Sequence, residues 1–197
     1  MNTMKLLLPV IAALLLPGGQ ACGHQQECQV VIETSLGEIV AVVYPEQAPI
    51  TAKNFLRLVD LQLYNKGASF YRVTRNDNQP NQTVKIDVIQ GGLRGTGANK
   101  LQPIVHETTQ TTGLSHLDGT LSMARGKPGT ATSDFFICIG NQPELDFGGR
   151  RNPDGTGFAA FGSVIKGMDV VRTIQQLQDE KQYLLEPVKI ISIRRMQ

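Results

Sequence analysis

The chain has 197 residues, 18% of them charged, and a formal net charge of +2, enough for one domain with a substantial core plus an export segment. Near-balanced charge without a long basic run argues against a nucleic-acid partner, as does the absence of tryptophan for base stacking. His24, His106 and His116 are scattered with no paired ligand spacing, so a metal site is not expected, and three cysteines give no disulfide framework.

At the N-terminus, Lys5 precedes an apolar run, residues 6–16, that is too short to span a bilayer. Pro17, Gly18 and Gly19 break it, and small residues follow up to Cys22. This layout predicts a signal peptide over residues 1–21 and an exported, periplasmic protein. Gly19-Gln20-Ala21-Cys22 partly resembles a lipobox, with Gly19 where a large aliphatic residue is usual. Lipidation at Cys22 and ordinary cleavage nearby both stay open. In the first case residues 22–28 tether a membrane-anchored lipoprotein, with 29–197 as the folded domain.

Residues 29–34 and 38–44 alternate like strands around a turn at Ser35-Leu36-Gly37, which predicts a hairpin. Phe55, Leu56, Val59 and Leu63 recur at helical spacing over 51–63, with Thr51 as the predicted N-cap and Gly67 as the stop. Strand-like runs follow at 69–74, 84–90, 119–124, 134–139 and 158–164. A second helix is predicted from Met168, with Val170, Val171, Ile174 and Leu177 on one side, and a last strand over 188–193. Many short strands with two amphipathic helices predict a mostly β chain folded as a closed barrel capped at its ends. Two polar loops, 75–83 and the glycine-rich 147–157, read as solvated connections; the latter lacks the strand-to-helix context of a phosphate cradle.

Strand alternation predicts that Phe70 and Arg72 share one side and Tyr71 the other. It also groups Ile86, Val88 and Gln90 on one face, and Asp134, Phe136 and Cys138 on another, with Phe135 and Ile137 filling the interior.

Five segments stand in a distinctive order: Phe70-Tyr71-Arg72, Gln90-Gly91-Gly92, Leu121-Ser122-Met123-Ala124, Phe135-Phe136-Ile137-Cys138 and Phe161-Gly162. Together they resemble the cyclophilin family of peptidyl-prolyl cis-trans isomerases, and the resemblance covers nearly all of residues 29–196. It implies a closed eight-stranded antiparallel β-barrel capped by two α-helices, and an enzyme that acts on X-Pro bonds without a cofactor. Catalytic roles fall on Arg72 and Gln90, and substrate contacts on Phe136, Val88, Leu145, Ala124, Arg125, Asp134 and Phe158. The implied partners are proline-containing polypeptides, met by a monomer. A proline-peptide-binding or chaperone module of the same fold, without turnover, is the alternative.

Several positions depart from the family pattern. Tyr71 replaces a histidine, Asp134 a glutamine, Arg125 an asparagine and Glu144 a tryptophan, while Phe158 stands for a histidine and Asp87 for an apolar aromatic. Asp134 and Arg125 either pair with each other or select charged residues beside the proline. Without the indole N–H donor that Glu144 displaces, cyclosporin, the family's macrocyclic inhibitor, should inhibit this protein only at micromolar concentrations or above. Nanomolar inhibition in a titration would refute that expectation.

Overall fold

The computed structural model describes residues 28–94 and 101–196. The predicted signal peptide and Cys22 lie outside the described residues. Strand β1 (Cys28–Thr34) turns into β2 (Gly37–Val43), pairing from Thr34 with Gly37 back to Cys28 with Val43, which is the expected hairpin. β3 (Ser69–Thr74), β4 (Val88–Gly92), β5 (Thr120–Met123), β6 (Phe135–Cys138), β7 (Ala159–Lys166) and β9 (Tyr183–Arg195) complete the barrel. Its order is β1-β2-β7-β5-β6-β4-β3-β9, closed by β1 against β9, and every pairing is antiparallel. The short β8 (Asp179–Glu180) pairs only with β9, as an added hairpin arm.

Helices α1 (Pro49–Asp60) and α3 (Met168–Gln175) are the two expected ones; α2 (Thr109–Thr112) is a single further turn with no apolar periodicity. The predicted cap of α1 needs correction. The helix begins at Pro49, whose fixed φ suits a first helical position, and Ala48 at the N-cap offers no side-chain acceptor. The N–H groups of Ile50 and Thr51 donate instead to the Glu107 carboxylate, at 3.0 and 2.6 Å. An acid from a distant loop thus replaces the local cap. Gly67, with φ +108°, closes the 3-10 turn Tyr64–Lys66 and not α1, which ends at Asp60.

Two predicted strands move by more than the one- or two-residue shifts at the ends of the others. The run expected over 84–90 becomes regular only at Val88, because Ile86 is tied to the buried Gln79 amide, its carbonyl accepting at 2.8 Å, and not to a neighbouring strand. The last strand grows from 188–193 to Tyr183–Arg195 and runs through Pro187. Against β3, Val188 pairs with Phe70 and Tyr183 with Arg72, so residues 184–187 leave that ladder and the missing proline N–H is not needed there.

The barrel interior is aromatic. Phe55 from α1 lies 5.0–5.5 Å, centroid to centroid, from Tyr64, Phe135 and Phe161. A second, smaller apolar cluster forms outside the wall from Ile86, Val88, Phe136, Cys138 and Leu145, with Ala124 and Phe158 against it. Burying α1's apolar face orders the helix, but its first turn depends on Glu107. Glu107→Ala strands two N–H groups, that of Thr51 fully buried, and should cost about 2 kcal/mol, read as a lower denaturation midpoint with unchanged m.

Candidate active site

β6 explains why an apolar slot lies outside the barrel. Its alternation sends Phe135 and Ile137 into the interior, as predicted, and Phe136 and Cys138 outward into the second cluster. Burial raises the Cys138 thiol pKa well above its ordinary value, so it stays a neutral packing group. The Phe136 ring meets Phe158 edge-on at 5.3 Å. On its other contact, the His116 ring stacks at 6.0 Å and 15°.

His116 has no counterpart among the predicted site residues. Its Nδ1 lies 2.6 Å from Asp146 and its Nε2 2.9 Å from the Ser122 hydroxyl. With the proton on Nδ1, the ring donates to Asp146 and accepts from Ser122, which satisfies all three groups. The trio matches the composition of a hydrolytic triad, yet Ser122 is fully buried, so no acyl group reaches it. It fixes the plane under Phe136. No local pattern in the sequence marks this histidine for that role.

Arg72 reaches the same hollow by a route that alternation does not predict. Phe70 pairs with Gly91 and Arg72 with Gln90, leaving Tyr71 as an extra residue, a β-bulge. Phe70 therefore faces the interior while Arg72 faces the outer hollow, which corrects the expectation that they share a side. Arg72 Nη1 donates to Gln90 Oε1 at 2.8 Å, and Nε and Nη2 donate to Gln182 Oε1 at 3.2 and 2.5 Å. Burial lowers its pKa, but a guanidinium remains charged in a protein. Gln90 Nε2 in turn donates to the Tyr71 hydroxyl at 2.9 Å, which donates to Asp134 at 2.8 Å. Burial, and then the Asp134 carboxylate, push the Tyr71 pKa up, so the hydroxyl keeps its proton.

Gln182 is a second residue that sequence reasoning missed. It lies in the two-residue turn between β8 and β9, where Lys181 and Gln182 both have positive φ, +50° and +74°. Its backbone N–H donates to Asp179, and its carbonyl accepts from Val73 N–H at 2.8 Å. Asp179 is itself held by Arg75 and by Asn78. No local pattern links Gln182 to Arg72, which lies 110 residues away in the chain.

The shared hollow measures about 250 Å³. It brings together the predicted residues Arg72, Gln90, Val88, Ala124, Arg125, Phe136, Leu145 and Phe158, and adds Ile86, Arg151 and Asn152. A larger hollow of about 770 Å³ opens elsewhere, between β1, α1 and the end of β9, and contains none of these groups. Asp134 does not line the smaller hollow, being turned to Tyr71, Ser133 and the Arg94 N–H. Nor does it pair with Arg125. That side chain, 1% exposed, binds both oxygens of Asp154 at 2.9 Å and stacks over Phe158 at 5.0 Å. Glu144 pairs with Arg150 at 2.7 Å.

Loop 147–157 is thus part of the site and not merely solvated. Arg125 anchors its end through Asp154, Thr156 and the Gly157 carbonyl, holding the Asp154 carboxyl well below the usual range. Arg151 also lines the hollow, and its Nη1 donates to Val84 O at 2.5 Å. Arg125→Ala should free Asp154 and raise amide exchange at Thr156 by about tenfold, leaving the barrel amides protected, in a hydrogen–deuterium exchange measurement.

Comparison with known proteins agrees with this geometry. The family model described as cyclophilin type peptidyl-prolyl cis-trans isomerase/CLD matches residues 29–195. A peptidyl-prolyl cis-trans isomerase of Acinetobacter baylyi is 38% identical over 174 residues, 84% of each chain. Peptidyl-prolyl cis-trans isomerase A of Dickeya dadantii is 33% identical, covering 89% of this chain and 86% of its own. The crystal structure of a cyclophilin type isomerase from Cryptosporidium parvum superposes with a TM-score of 0.68 at 25% identity, covering 87% of this chain and 98% of that one. The same Cryptosporidium protein is known in the presence of the dipeptide Ala-Pro, with a TM-score of 0.67. The barrel, the outward arginine and the matching relatives converge: this chain belongs to the cyclophilin-type peptidyl-prolyl cis-trans isomerases.

Proposed function

We propose that the protein catalyses rotation about X-Pro peptide bonds in other polypeptides, with Arg72 as the catalytic residue and the Val88–Phe136–Leu145 slot as the proline seat. The observation that carries the reading is the presence of the Arg72 guanidinium and the Phe136 ring in one small hollow.

Amide resonance sets a barrier of roughly 20 kcal/mol to rotation. As the bond twists, the prolyl nitrogen pyramidalises and its lone pair becomes a hydrogen-bond acceptor. A donor placed there binds the twisted state better than either planar isomer, which is what accelerates the reaction. Arg72 supplies that donor while also meeting the substrate carbonyl. A charge-assisted hydrogen bond contributes about 2–3 kcal/mol, whereas a hundred-thousand-fold acceleration needs about 7 kcal/mol. The remainder falls to the apolar slot, which holds the ring and removes water, and to the prior orientation of the guanidinium. Gln90 and Gln182 are positioning residues in this scheme. Ala124, Arg125 and Phe158 line the groove beside the slot, and Asp134 acts through Tyr71 and Gln90.

The same reading places the protein outside the cytoplasm as a periplasmic folding enzyme, supported by the apolar run 6–16 and the helix-breaking residues that follow it. The mass of the mature N-terminus distinguishes a lipid-anchored Cys22 from simple cleavage.

An isomerisation assay on a short X-Pro peptide tests the proposal. Wild-type protein should speed relaxation, and Arg72→Ala should reduce kcat/KM by about a hundredfold or more. Gln182→Ala should lower it by about tenfold, and Gln182→Glu, which keeps an acceptor but sets a carboxylate against the guanidinium, should recover little of the loss. Relaxation at the buffer rate with wild-type protein, alongside retained peptide binding, would instead assign the non-catalytic module.

A further inference from the structure

The hollow beside Arg72 is lined by three arginines, Arg72, Arg125 and Arg151, and among the described residues by no Asp or Glu. Arg125 is already neutralised, because Asp154 receives two of its N–H groups from the loop side. Arg72 is held by the amide oxygens of Gln90 and Gln182, which orient the charge without cancelling it. Arg151 donates one N–H to the Val84 carbonyl. Burial, followed by the like charge of Arg72, lowers its pKa, which places the two cations within electrostatic reach of one another. Among the described residues neither forms an ion pair.

Two unpaired cations thus face one small concavity, in a chain whose whole formal charge is only +2. Low-dielectric walls strengthen the field of such a pair at the mouth. A guanidinium has five N–H donors and the protein uses one of Arg151's, so the residue is equipped to receive a planar carboxylate. The proline ring, seated on Phe136, brings no charge to this field. A side chain next to it can.

We infer that the site selects X-Pro segments with an acidic residue directly flanking the proline, its carboxylate received by Arg151. The inference rests on the isomerase reading for where the proline sits. Arg151 is a specificity residue here, distinct from its structural tie to Val84.

Peptides identical except for Glu, Gln or Lys immediately before the proline, and a second set varied immediately after it, provide the test. At low ionic strength the Glu peptide of one set should exceed its Gln partner in kcat/KM by about fivefold, with Lys below both, and the gap should narrow as salt is added. In Arg151→Gln the Glu-to-Gln ratio should fall to about one, while Arg151→Lys should keep part of it. A purely structural arginine would lower both rates together and leave the ratio unchanged. Equal rates for Glu and Gln in both sets with wild-type protein would overturn the inference and leave the isomerase reading intact. Absence of turnover with every peptide would sink the isomerase reading. Dissociation constants from titrating the same peptides would then decide the carboxylate site, tighter Glu binding supporting it and equal binding overturning it.

Discussion

Because Tyr71 has no partner across from it in β4, the face of β3 changes hands in mid-strand. Phe70 and Val73 point into the barrel, while Tyr71 and Arg72 lie on the outer side. Strict alternation would drive the Arg72 guanidinium into a core of phenylalanine and leucine, where an unpaired charge is strongly unfavourable. The bulge removes that conflict and converts a buried liability into a charged donor at the wall's outer surface. Gly91 and Gly92 make room for it. A Cβ at Gly91 would stand 2.7 Å from the Phe70 ring, and one at Gly92, with φ +140°, 2.7 Å from the Asp134 Cα. Gly91 is therefore a packing requirement of β3 at the bulge, and Gly92 one of its close approach to Asp134.

An arginine turned outward still has many rotamers, and catalysis by a fixed dipole needs one. Two neutral acceptors supply it. Gln90 is itself oriented by the Tyr71 hydroxyl, whose proton goes to Asp134, so the direction of the first amide is set three residues deep. Gln182 is set by backbone geometry, in a two-residue hairpin turn with left-handed φ at both positions. Such turns match the twist of paired strands but favour asparagine or glycine. Lys181 and Gln182 each bear a conformational cost of about 1 kcal/mol, which the Arg75–Asp179–Asn78 contacts around the turn offset. Carboxylates in place of Gln90 and Gln182 would hold the guanidinium more tightly and would also quench the charge it must offer.

Periodicity in the sequence was enough for the first hairpin, for α1 and α3, and for the division of β6 between interior and exterior. Resemblance to a family was needed to bring Arg72, Gln90 and Phe136 into one hollow, because nothing local links strands so far apart. What escaped both follows from the same limit. The bulge at Tyr71 breaks the period-two rule without a glycine or proline at the site to announce it. Glu107 caps a helix that begins more than fifty residues earlier, so no local residue, Thr51 included, marks the cap. Gln182 and Arg151 sit in turns whose residues look interchangeable until the fold delivers them to Arg72.

The departures from the family pattern make most sense taken in pairs. Tyr71 arrives with Asp134, Arg125 with Asp154, and Glu144 with Arg150, each joined by a hydrogen bond or ion pair. A new polar group at a partly buried rim is unfavourable unless a partner comes with it, so these substitutions are coupled in energy although dispersed in sequence. The pairing also changes what the rim offers to a substrate. Asp134 and Asp154 are occupied within the protein, and Glu144 is bound to Arg150, so among the described residues no acid lines the hollow. Arg72 and Arg151 are left as the uncompensated charges there. The rim that began as a set of unrelated replacements therefore has a consistent sign, and that sign determines which flanking residues a proline segment can bring into the slot without repulsion.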